Sequence, residues 1–560
     1  MSQRGTVDQH PRPVVGPVSE GSASDRSTVD QHPRPVSGEA VAADAEARVA
    51  GVPGCTVPHQ CTPTKIKSTG NNGDEKDFPT FIGNFHKGLP HDQFGEVNKA
   101  AYQTLLDAVN QKAPFASITP GLGRKFTNPQ AGLATDVEGP DPSKLDILSA
   151  PKVNSAEAAA EAVEDYWMAL LRDVPFIDWD TNSDIAAAAA ELSGLSEFTG
   201  PKIGGQVTPL SIFRGCADGD MEGPFLSQFL LHPVPYGSLT VSQQQKTVLA
   251  GVDYLTDFNT WLSIQNGFPG PFTDAFDPTP RSIRSMRDLG QYVHVDALYE
   301  AYLNACLILL GHNAPFDSGN PYEPGHPDQV NQIGFGTFGG PHILSLLTEV
   351  ATRALKAVWY QKWMVHRRLR PEAYGGLVHL TKSGTKNYPL HTQVLNSVAV
   401  ARTNAKFGTY LMPMAFPEGS PTHPAYGAGH ATVAGACVTI LKAWFDDTAA
   451  LPGTITPSVA SADGTALVPV NAQLTIGGEL NKVAANIAIG RNMAGVHWRS
   501  DYHESARLGE EVALCILQKQ RKDYHEKDWS FSLCRFDGTR VTVSRDGITD
   551  GNGKKVDLKC

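Results

Sequence analysis

The sequence predicts an all-α protein that ends in a short β-hairpin tail. After about residue 76, long windows hold helix-forming residues with apolar side chains three and four positions apart. Alternating segments that would form strands are scarce before residue 530. Hydrophobic residues make up 41% of the 560 residues and charged residues 19%, so most of the chain can bury a core. We therefore expect one large helical body.

The expected helices follow one another along that body. Ser183 and Asp184 are candidate caps for the second helix, and Arg370-Pro371 is expected to close the fifth, because the residue before a proline disfavours helical geometry. The expected helices span residues 155–174, 185–195, 248–266, 284–310, 343–369, 431–445 and 502–519.

The tail and the N-terminal arm flank the body. Residues 530–536 and 540–544 alternate in polarity around Asp537-Gly538, a typical hairpin turn, and place the tail at 531–560. Residues 1–75 are rich in Pro, Gly and Ser, and TVDQHPRPV occurs twice in them, at 6–14 and 28–36. Two copies are too few for a solenoid, so we expect a flexible spacer, with partner binding as the alternative. The body divides into an N-terminal half, 76–342, and a C-terminal half, 343–530.

Composition excludes some function classes. The formal charge of −11, from 47 basic and 58 acidic residues, disfavours a nucleic-acid-binding protein. The sequence contains no run of 18 apolar residues, so it predicts no membrane span. The first 30 residues lack the apolar stretch of a secretory signal, which predicts a cytoplasmic protein.

Eight cysteines are too few for a disulfide scaffold. Four of them lie in mostly apolar stretches and are expected to be small buried residues: Cys216, Cys306, Cys437 and Cys515. Cys55 and Cys61 flank His59, where a metal site or a local disulfide is the less favoured interpretation. The disulfide states of Cys534 and Cys560 stay open.

Three segments of the C-terminal half carry chemistry. In YQKWMVHRRLRPE (360–372), Lys362 and Arg370 lie about 80° apart around a helix, so both can border one pocket if the helix ends near Arg370. The alternative is that they only complement a helix dipole.

In the second segment, EGSPTHPAYGAGHATVAG (418–435), a glycine turn leads into a helix whose first N–H groups favour an anion, with His430 at its start and His423 upstream. The alternative is a loop that caps a core helix.

The third segment is GRNMAGVHWRSDY (490–502). Arg491 and His497 lie about 240° apart on a helix, so a loop or a bent helix start is needed to bring them together. His497 and Asp501 are four apart and can share a face. The carboxylate can accept the Nδ1–H of His497, which leaves Nε2 as a ligand or nucleophile. A surface His–Asp pair is the alternative. Taken together, one Lys and two Arg suit a tetrahedral oxyanion.

This combination resembles the vanadium-dependent haloperoxidases and, more distantly, the acid phosphatases that share their anion pocket. The matching order is Lys and Arg-Pro, then Gly-His, then Arg and His with a trailing Asp. FHKGLPHD (85–92), YWMALLRDVPF (166–176) and the tail extend the likeness to the bromoperoxidase-type members. The resemblance implies a body built around four-helix bundles, often assembled as a homodimer or larger homo-oligomer.

The resemblance also implies a vanadate cofactor and the roles of single residues. Lys362, Arg370 and Arg491 would hold vanadate oxygens. Ala428 and Gly429 would also be cofactor-binding residues, with Gly429 supplying a backbone N–H. His497 would bond vanadium, with Asp501 behind it. His430 would be the acid–base group, and His423 matches a position associated with bromide. The reactants would be hydrogen peroxide, a halide and a small organic substrate, as in bacterial terpenoid-aromatic pathways.

One departure from the family pattern opens alternatives. Its Pro-Ser-Gly-His reads Gly-Ala-Gly-His here, and Ala428 lacks the hydroxyl that would bond vanadate or peroxide. Such a bond contributes about 1.5–3 kcal/mol. The alternatives are a homologue that uses His430 and His497 for acid–base isomerisation, a phosphatase with His497 as nucleophile, and a non-catalytic binding module.

Overall fold

In the computed structural model, residues 61–560 are described, apart from the side chains of residues 327 and 328. The described part contains fourteen α-helices and seven short strands, which confirms the all-α class. The helices are α1 Asp74–Asp77, α2 Lys99–Val109, α3 Ala156–Leu170, α4 Ser183–Gly194, α5 Phe258–Gln265, α6 Met286–Val295, α7 Glu300–Gly311, α8 Gly340–Tyr360, α9 Pro371–Lys382, α10 Thr392–Leu395, α11 Val398–Phe407, α12 Gly429–Trp444, α13 Ile476–Met493 and α14 Arg499–Gln520. The strands are β1 Val234–Tyr236, β2 Leu239–Val241, β3 Ser458–Ala460, β4 Leu467–Pro469, β5 Ser530–Cys534, β6 Arg540–Ser544 and β7 Gly547–Asp550.

A four-helix bundle of α8, α12, α13 and α14 forms the centre of the C-terminal half. Helix α12 packs against the other three, and α14 also contacts α8 and α13. Glycines set the closest approach: a Cβ on Gly435 would lie 2.0 Å from the carbonyl oxygen of Ala506, and one on Gly509 would lie 2.0 Å from that of Thr432. The backbones of α12 and α14 therefore touch, which fixes the N-terminus of α12 against α14.

Helix α13 is buried along its whole length and was not expected from the sequence. All 18 of its residues are buried, including Asn481, Lys482, Asn486 and Arg491. Because polar residues are buried on every side of it, the helix shows no apolar stripe of the kind that periodicity detects. Its last turn carries Arg491 into the bundle.

Three expected helices differ from the observed ones. Only 258–265 of the predicted 248–266 is helical, and the predicted 284–310 is two helices, α6 and α7, bent by 100°. The predicted 343–369 ends in a π-helical turn over Gln361–His366, after which Arg367 is left-handed. Pro371 begins α9 instead of closing the preceding helix, because proline suits the first position of a helix and Arg370 before it is extended.

The start of α4 also differs in detail. The side-chain oxygen of Asn182 accepts hydrogen bonds from the backbone N–H groups of Asp184 and Ile185. Asn182 is therefore the cap, and Ser183 and Asp184 belong to the first turn.

The tail has three strands rather than two. Strand β5 pairs antiparallel with β6, and β6 with β7, so that Phe531 faces Val543 and Val543 faces Ile548. These three side chains are buried, and Phe531 stacks on Trp444 at the end of α12 with ring centroids 5.4 Å apart. The tail thereby covers the far end of the bundle. The third strand is only four residues long, which gave little pattern to detect.

Two disulfides that join cysteines within residues 61–560 correct the expectations for cysteine. Cys61 is bonded to Cys216 and Cys515 to Cys560, so Cys216 and Cys515 are more than small buried residues. A local disulfide between Cys55 and Cys61 is excluded, and Cys55 and His59 lie outside the described residues. Cys306 and Cys437 are buried free thiols, as expected. The disulfides join residues 155 and 45 positions apart, a separation that spacing alone does not indicate.

The predicted boundary of the arm at residue 75 is too late. Cys61 forms a β-bridge with Pro201, and Thr69 forms one with Leu148. Residues from 61 onwards are therefore part of the body. Both copies of the duplicated segment lie outside the described residues.

No single helix of residues 61–560 is long and apolar enough to cross a membrane, and only the bent pair α6 and α7 meets the length and composition test jointly.

Candidate active site

Three buried cations meet beside the N-terminus of α12. Lys362 donates to the carbonyls of Pro424, at 2.8 Å, and Ala425, at 3.1 Å. Burial lowers the pKa of Lys362 well below its usual value, and the charges of Arg370 and Arg491 lower it further. Burial likewise lowers the pKa of Arg370 to about 9. Cations that depress one another's pKa in a buried space form a site for an anion.

Lys362 and Arg370 border the pocket from two different elements, and not from one helix as the sequence suggested. Lys362 lies on the π-helical turn that follows α8, and Arg370 caps α9 after the chain has turned. Arg491 stands on the last turn of α13, where its Nη1 donates to the carbonyl of Val293 at 2.6 Å. Three separate elements therefore supply the three cations.

His497 lies in the short connection between α13 and α14. The helical geometry predicted that Arg491 and His497 need such a break, and the structure confirms it: α13 ends at Met493 and α14 begins at Arg499. Nε2 of His497 is 3.0 Å from Nη1 of Arg370, and the side chain is 2% exposed. Burial and the neighbouring cations hold the pKa of His497 well below its usual value, so the imidazole is neutral.

The predicted contact between His497 and Asp501 is present. Nδ1 of His497 is 2.8 Å from Oδ2 of Asp501, which also accepts the backbone N–H of Trp498 at 3.1 Å. A neutral imidazole that donates from Nδ1 to a carboxylate keeps a lone pair on Nε2. His497 itself precedes the helix, so the pair forms across the N-terminus of α14 rather than along one helix face.

The N-terminus of α12 adds backbone donors. Ala428 occupies the cap position with extended geometry and no side-chain hydrogen bond. Its own N–H donates to the hydroxyl of Ser505 at 2.8 Å. Ala428 therefore offers the pocket neither a side-chain nor a backbone donor, which corrects its assignment as a binding residue. The N–H of Gly429 is among the first of the helix, which have no intrahelical partner.

Two further histidines border the pocket. Nδ1 of His423 is 2.9 Å from Nη2 of Arg370, and its ring lies 4.8 Å from the ring of Trp359. Nε2 of His430 is 3.0 Å from Oδ1 of Asp296, and the His430 side chain is 27% exposed. His423 is thus buried with the cations, while His430 stands where solvent reaches the site.

The chain is similar to known proteins over most of its length. Residues 342–526 match the family model for the second helical-bundle domain of VCPO. The chain is 39% identical to a vanadium-dependent bromoperoxidase of Corallina pilulifera over 83% of this chain and 91% of the relative. It is 36% identical to a vanadium-dependent bromoperoxidase of Ascophyllum nodosum, over 87% of this chain and 90% of the relative. The chain belongs to the vanadium-dependent haloperoxidase family. A homohexameric structure of the second vanadate-dependent bromoperoxidase of Ascophyllum nodosum superposes with a TM-score of 0.81 at 32% identity, covering 88% of this chain and 90% of that one.

The pocket of this vanadium-dependent haloperoxidase suits a vanadate ion. A tetrahedral oxyanion needs positive charge on several sides, which Lys362, Arg370 and Arg491 supply. It also needs one nitrogen lone pair for the metal, which Nε2 of His497 keeps because the ring proton lies on Nδ1 and is donated to Asp501 in a hydrogen bond. The residues present therefore fit the cofactor, with Gly429 as the backbone donor.

Several residues of the site were missed in the sequence. Asp296 directly follows α6, and only its position after His294 in VHVDALYE hinted at a polar cluster. His294 stacks on Phe416 at 3.7 Å and its Nε2 is 2.7 Å from Oε1 of Glu418. Trp359, three residues before Lys362, lies just outside the segment 360–372 and had no signal of its own.

A buried ion pair holds the loop that carries His423. Nζ of Lys87 contacts Oε1 of Glu372 at 2.6 Å and the carbonyls of Glu418 and Ser420 at 2.9 and 2.6 Å. Glu372 also accepts the N–H of Ser420 at 2.6 Å. Lys87 belongs to the segment FHKGLPHD, so this segment stabilises the loop before α12 through the contacts of Lys87.

Proposed function

We propose that this haloperoxidase uses vanadate to oxidise bromide or chloride with hydrogen peroxide and halogenates a small electron-rich organic substrate. The observation that carries the proposal is the buried pocket at a helix N-terminus in which Arg370 contacts Nε2 of His497, and Lys362 and Arg491 lie near enough to lower the pKa of that histidine. The vanadium-dependent bromoperoxidases that the chain resembles over most of its length support it.

The residues of the pocket act mainly by binding and orienting. Bound vanadate would supply Lewis-acid activation of peroxide without a change of oxidation state. Lys362, Arg370 and Arg491 would offset the charge of its oxygens, and their mutual repulsion in the free protein would be relieved on binding. Asp501 keeps the lone pair of His497 directed at the pocket.

His430 is placed to move the proton of peroxide. If its Nε2–H donates to Asp296, Nδ1 is left to accept a proton and to return it later. Its partial exposure lets protons exchange with solvent. Proton transfer by such a group contributes about 10²–10⁴-fold to the rate.

His423 is placed to handle the halide. Its Nδ1 receives the N–H of Arg370, so the neutral ring carries its proton on Nε2. Burial and the charges of Lys362 and Arg370 hold the pKa of His423 well below its usual value, which keeps it in this state. An N–H donor beside the aromatic ring of Trp359 is a suitable contact for a large, weakly hydrated anion.

The test is halogenation of a 1,3-dicarbonyl by the purified protein with peroxide and bromide or chloride, before and after vanadate is added. We expect turnover only with vanadate, and none in His497→Ala. Absence of both turnover and vanadate binding would overturn the proposal. That same outcome would favour the acid–base isomerase that Ala428 suggests, whereas phosphate release from a monoester would favour a phosphatase.

The proposal extends to the biological setting. The homohexameric neighbour supports a homo-oligomer, which the mass in solution tests. A bacterial terpenoid-aromatic pathway and a cytoplasmic location stay predictions from the sequence. The disulfides Cys61–Cys216 and Cys515–Cys560 offer a test of the location, because disulfides are rare in reducing compartments. Thiol counting on protein taken directly from its own cells would contradict a cytoplasmic location if both bonds are formed.

A further inference from the structure

A continuous row of ionic hydrogen bonds lies behind His497, on the side away from the cations. Oδ1 of Asp501 accepts a hydrogen bond from Nη1 of Arg368 at 2.8 Å, while Oδ2 faces His497. Nη2 of Arg368 is 2.6 Å from Oε2 of Glu161, on α3. The side chains of Arg368, Glu161 and Asp501 are 5%, 6% and 0% exposed, so solvent does not screen this row.

We propose that Glu161 and Arg368 are positioning residues that act through Asp501 to aim Nε2 of His497 into the oxyanion pocket, and so set the affinity for vanadate. This inference rests on the proposed function, since it concerns the same pocket. Neither residue is among those that the pocket itself requires.

The geometry around Arg368 leaves it little freedom. Its guanidinium lies 4.8 Å from the ring of Trp498, and its Nη1 also donates to the hydroxyl of Ser500 at 2.8 Å. Glu161 in turn accepts the backbone N–H of Ser500 at 2.6 Å. Both carboxylate oxygens of Asp501 are thus held from fixed points, and the plane of that carboxylate determines the direction of the Nδ1–H bond of His497.

No other carboxylate replaces Glu161 within the described residues. Asp165, one turn further along α3, makes no hydrogen bond through either side-chain oxygen. Burial raises the pKa of Asp165 well above its usual value, and the charges of Glu164 and Glu161 raise it further, so it is neutral. Loss of Glu161 would leave Arg368 with Asp501 as its single ionic partner and free it to shift.

The chain contains a matched control pair. Glu164, three residues after Glu161 on the same helix, is paired with Arg499 through Oε2 and Nε at 2.7 Å. That pair is as buried, at 0% and 1% exposed, and it also joins α3 to the start of α14. Arg499 directs its remaining bond to the carbonyl of Arg214 and not to Asp501.

The experiment compares Glu161→Gln with Glu164→Gln by equilibrium dialysis against vanadate, with bound vanadium measured directly, together with the Tm of each protein. Loss of a group that orients a metal ligand weakens metal binding by about 10–100-fold. We expect the vanadate Kd to rise by about that factor in Glu161→Gln and to stay within about threefold of wild type in Glu164→Gln. A purely structural role would lower Tm in both variants and move neither Kd.

A double-variant test shows whether the effect passes through Asp501. In an Asp501→Asn background, Glu161→Gln should weaken binding little further, because coupled residues are not additive. Equal changes of Kd in Glu161→Gln and Glu164→Gln, or full additivity with Asp501→Asn, would overturn the inference. Failure of wild-type protein to bind vanadate would instead refute the proposed function. Arg368→Gln is a supplementary variant, and the conclusion does not depend on its folding.

Discussion

Replacing Ala428 by serine would restore the hydroxyl that the family pattern has before Gly-His. The backbone there is extended, with φ −85° and ψ 127°, as is usual for the residue that caps a helix. A serine hydroxyl has one hydrogen to donate and two lone pairs to accept with. It can therefore accept the N–H of Ala431 and at the same time donate to an anion in front of α12.

The two effects of that hydroxyl have different sizes. As a cap it would stabilise the protein by about 1 kcal/mol, whether or not an anion is bound. As a donor to a charged oxygen it would strengthen vanadate binding by about 1.5–3 kcal/mol, which is roughly one to two decades in Kd. Affinity therefore discriminates better than stability between a hydroxyl that reaches the pocket and one that does not.

The assay is vanadate dialysis on wild type, Ala428→Ser and Ala428→Gly. Glycine is an acceptable cap without a hydroxyl, so Ala428→Gly controls for changes in the backbone. We expect at least a tenfold lower Kd in Ala428→Ser alone, accompanied by faster bromide oxidation. A Kd within twofold of wild type, with a raised Tm in the absence of vanadate, would show that the hydroxyl only caps the helix and would refute the reasoning.

Three other predictions follow from the site and the fold. The rise in Tm caused by vanadate should shrink as pH increases above neutrality, because Lys362 has a lowered pKa in the free pocket and loses its charge below the usual lysine range. Thermal melts at fixed vanadate from pH 7 to about pH 10 test this, and a vanadate-induced rise in Tm that increases with pH would contradict it. Asp296→Asn should reduce halogenation through His430 by about tenfold or more while the vanadate Kd stays within about threefold, which separate dialysis and turnover measurements check. Cys560→Ser opens the disulfide to Cys515 and should lower stability by about 2–4 kcal/mol, with a Tm that falls less on reduction than that of wild type because only the Cys61–Cys216 bond is left to reduce there; an unchanged Tm would show that the bond does not constrain the unfolded chain.

Short-range patterns made much of the site predictable. The spacing of His497 and Asp501 predicted their contact, and the angle between Arg491 and His497 predicted the break between α13 and α14. The break follows from helix geometry, whereas the contact depends on the four-residue spacing and forms across the N-terminus of α14 instead of along one helix face. The Gly-His segment similarly indicated the helix N-terminus that begins at Gly429.

The rest of the site depends on contacts that no local pattern encodes. Lys87 meets Glu372 across 285 residues, and Glu161 meets Arg368 across 207. Helix α13 was missed because buried polar residues on all its sides leave no apolar stripe for periodicity to detect. Pro371 was misinterpreted because a proline that ends one helix and a proline that begins the next have the same sequence signature at the preceding residue.

The buried ion pairs also determine how the chain can be made. Lys87, Glu161 and Glu164 lie in the N-terminal half, and each has its partner in the C-terminal half. A buried charge without its partner costs about 3–5 kcal/mol. Three such charges would therefore cost about as much free energy as the whole typical stability of a domain, which is about 5–15 kcal/mol. We therefore expect a chain that ends at residue 342 not to close its core, because these three charges would have no partners. On that expectation the two halves act as segments of one folding unit.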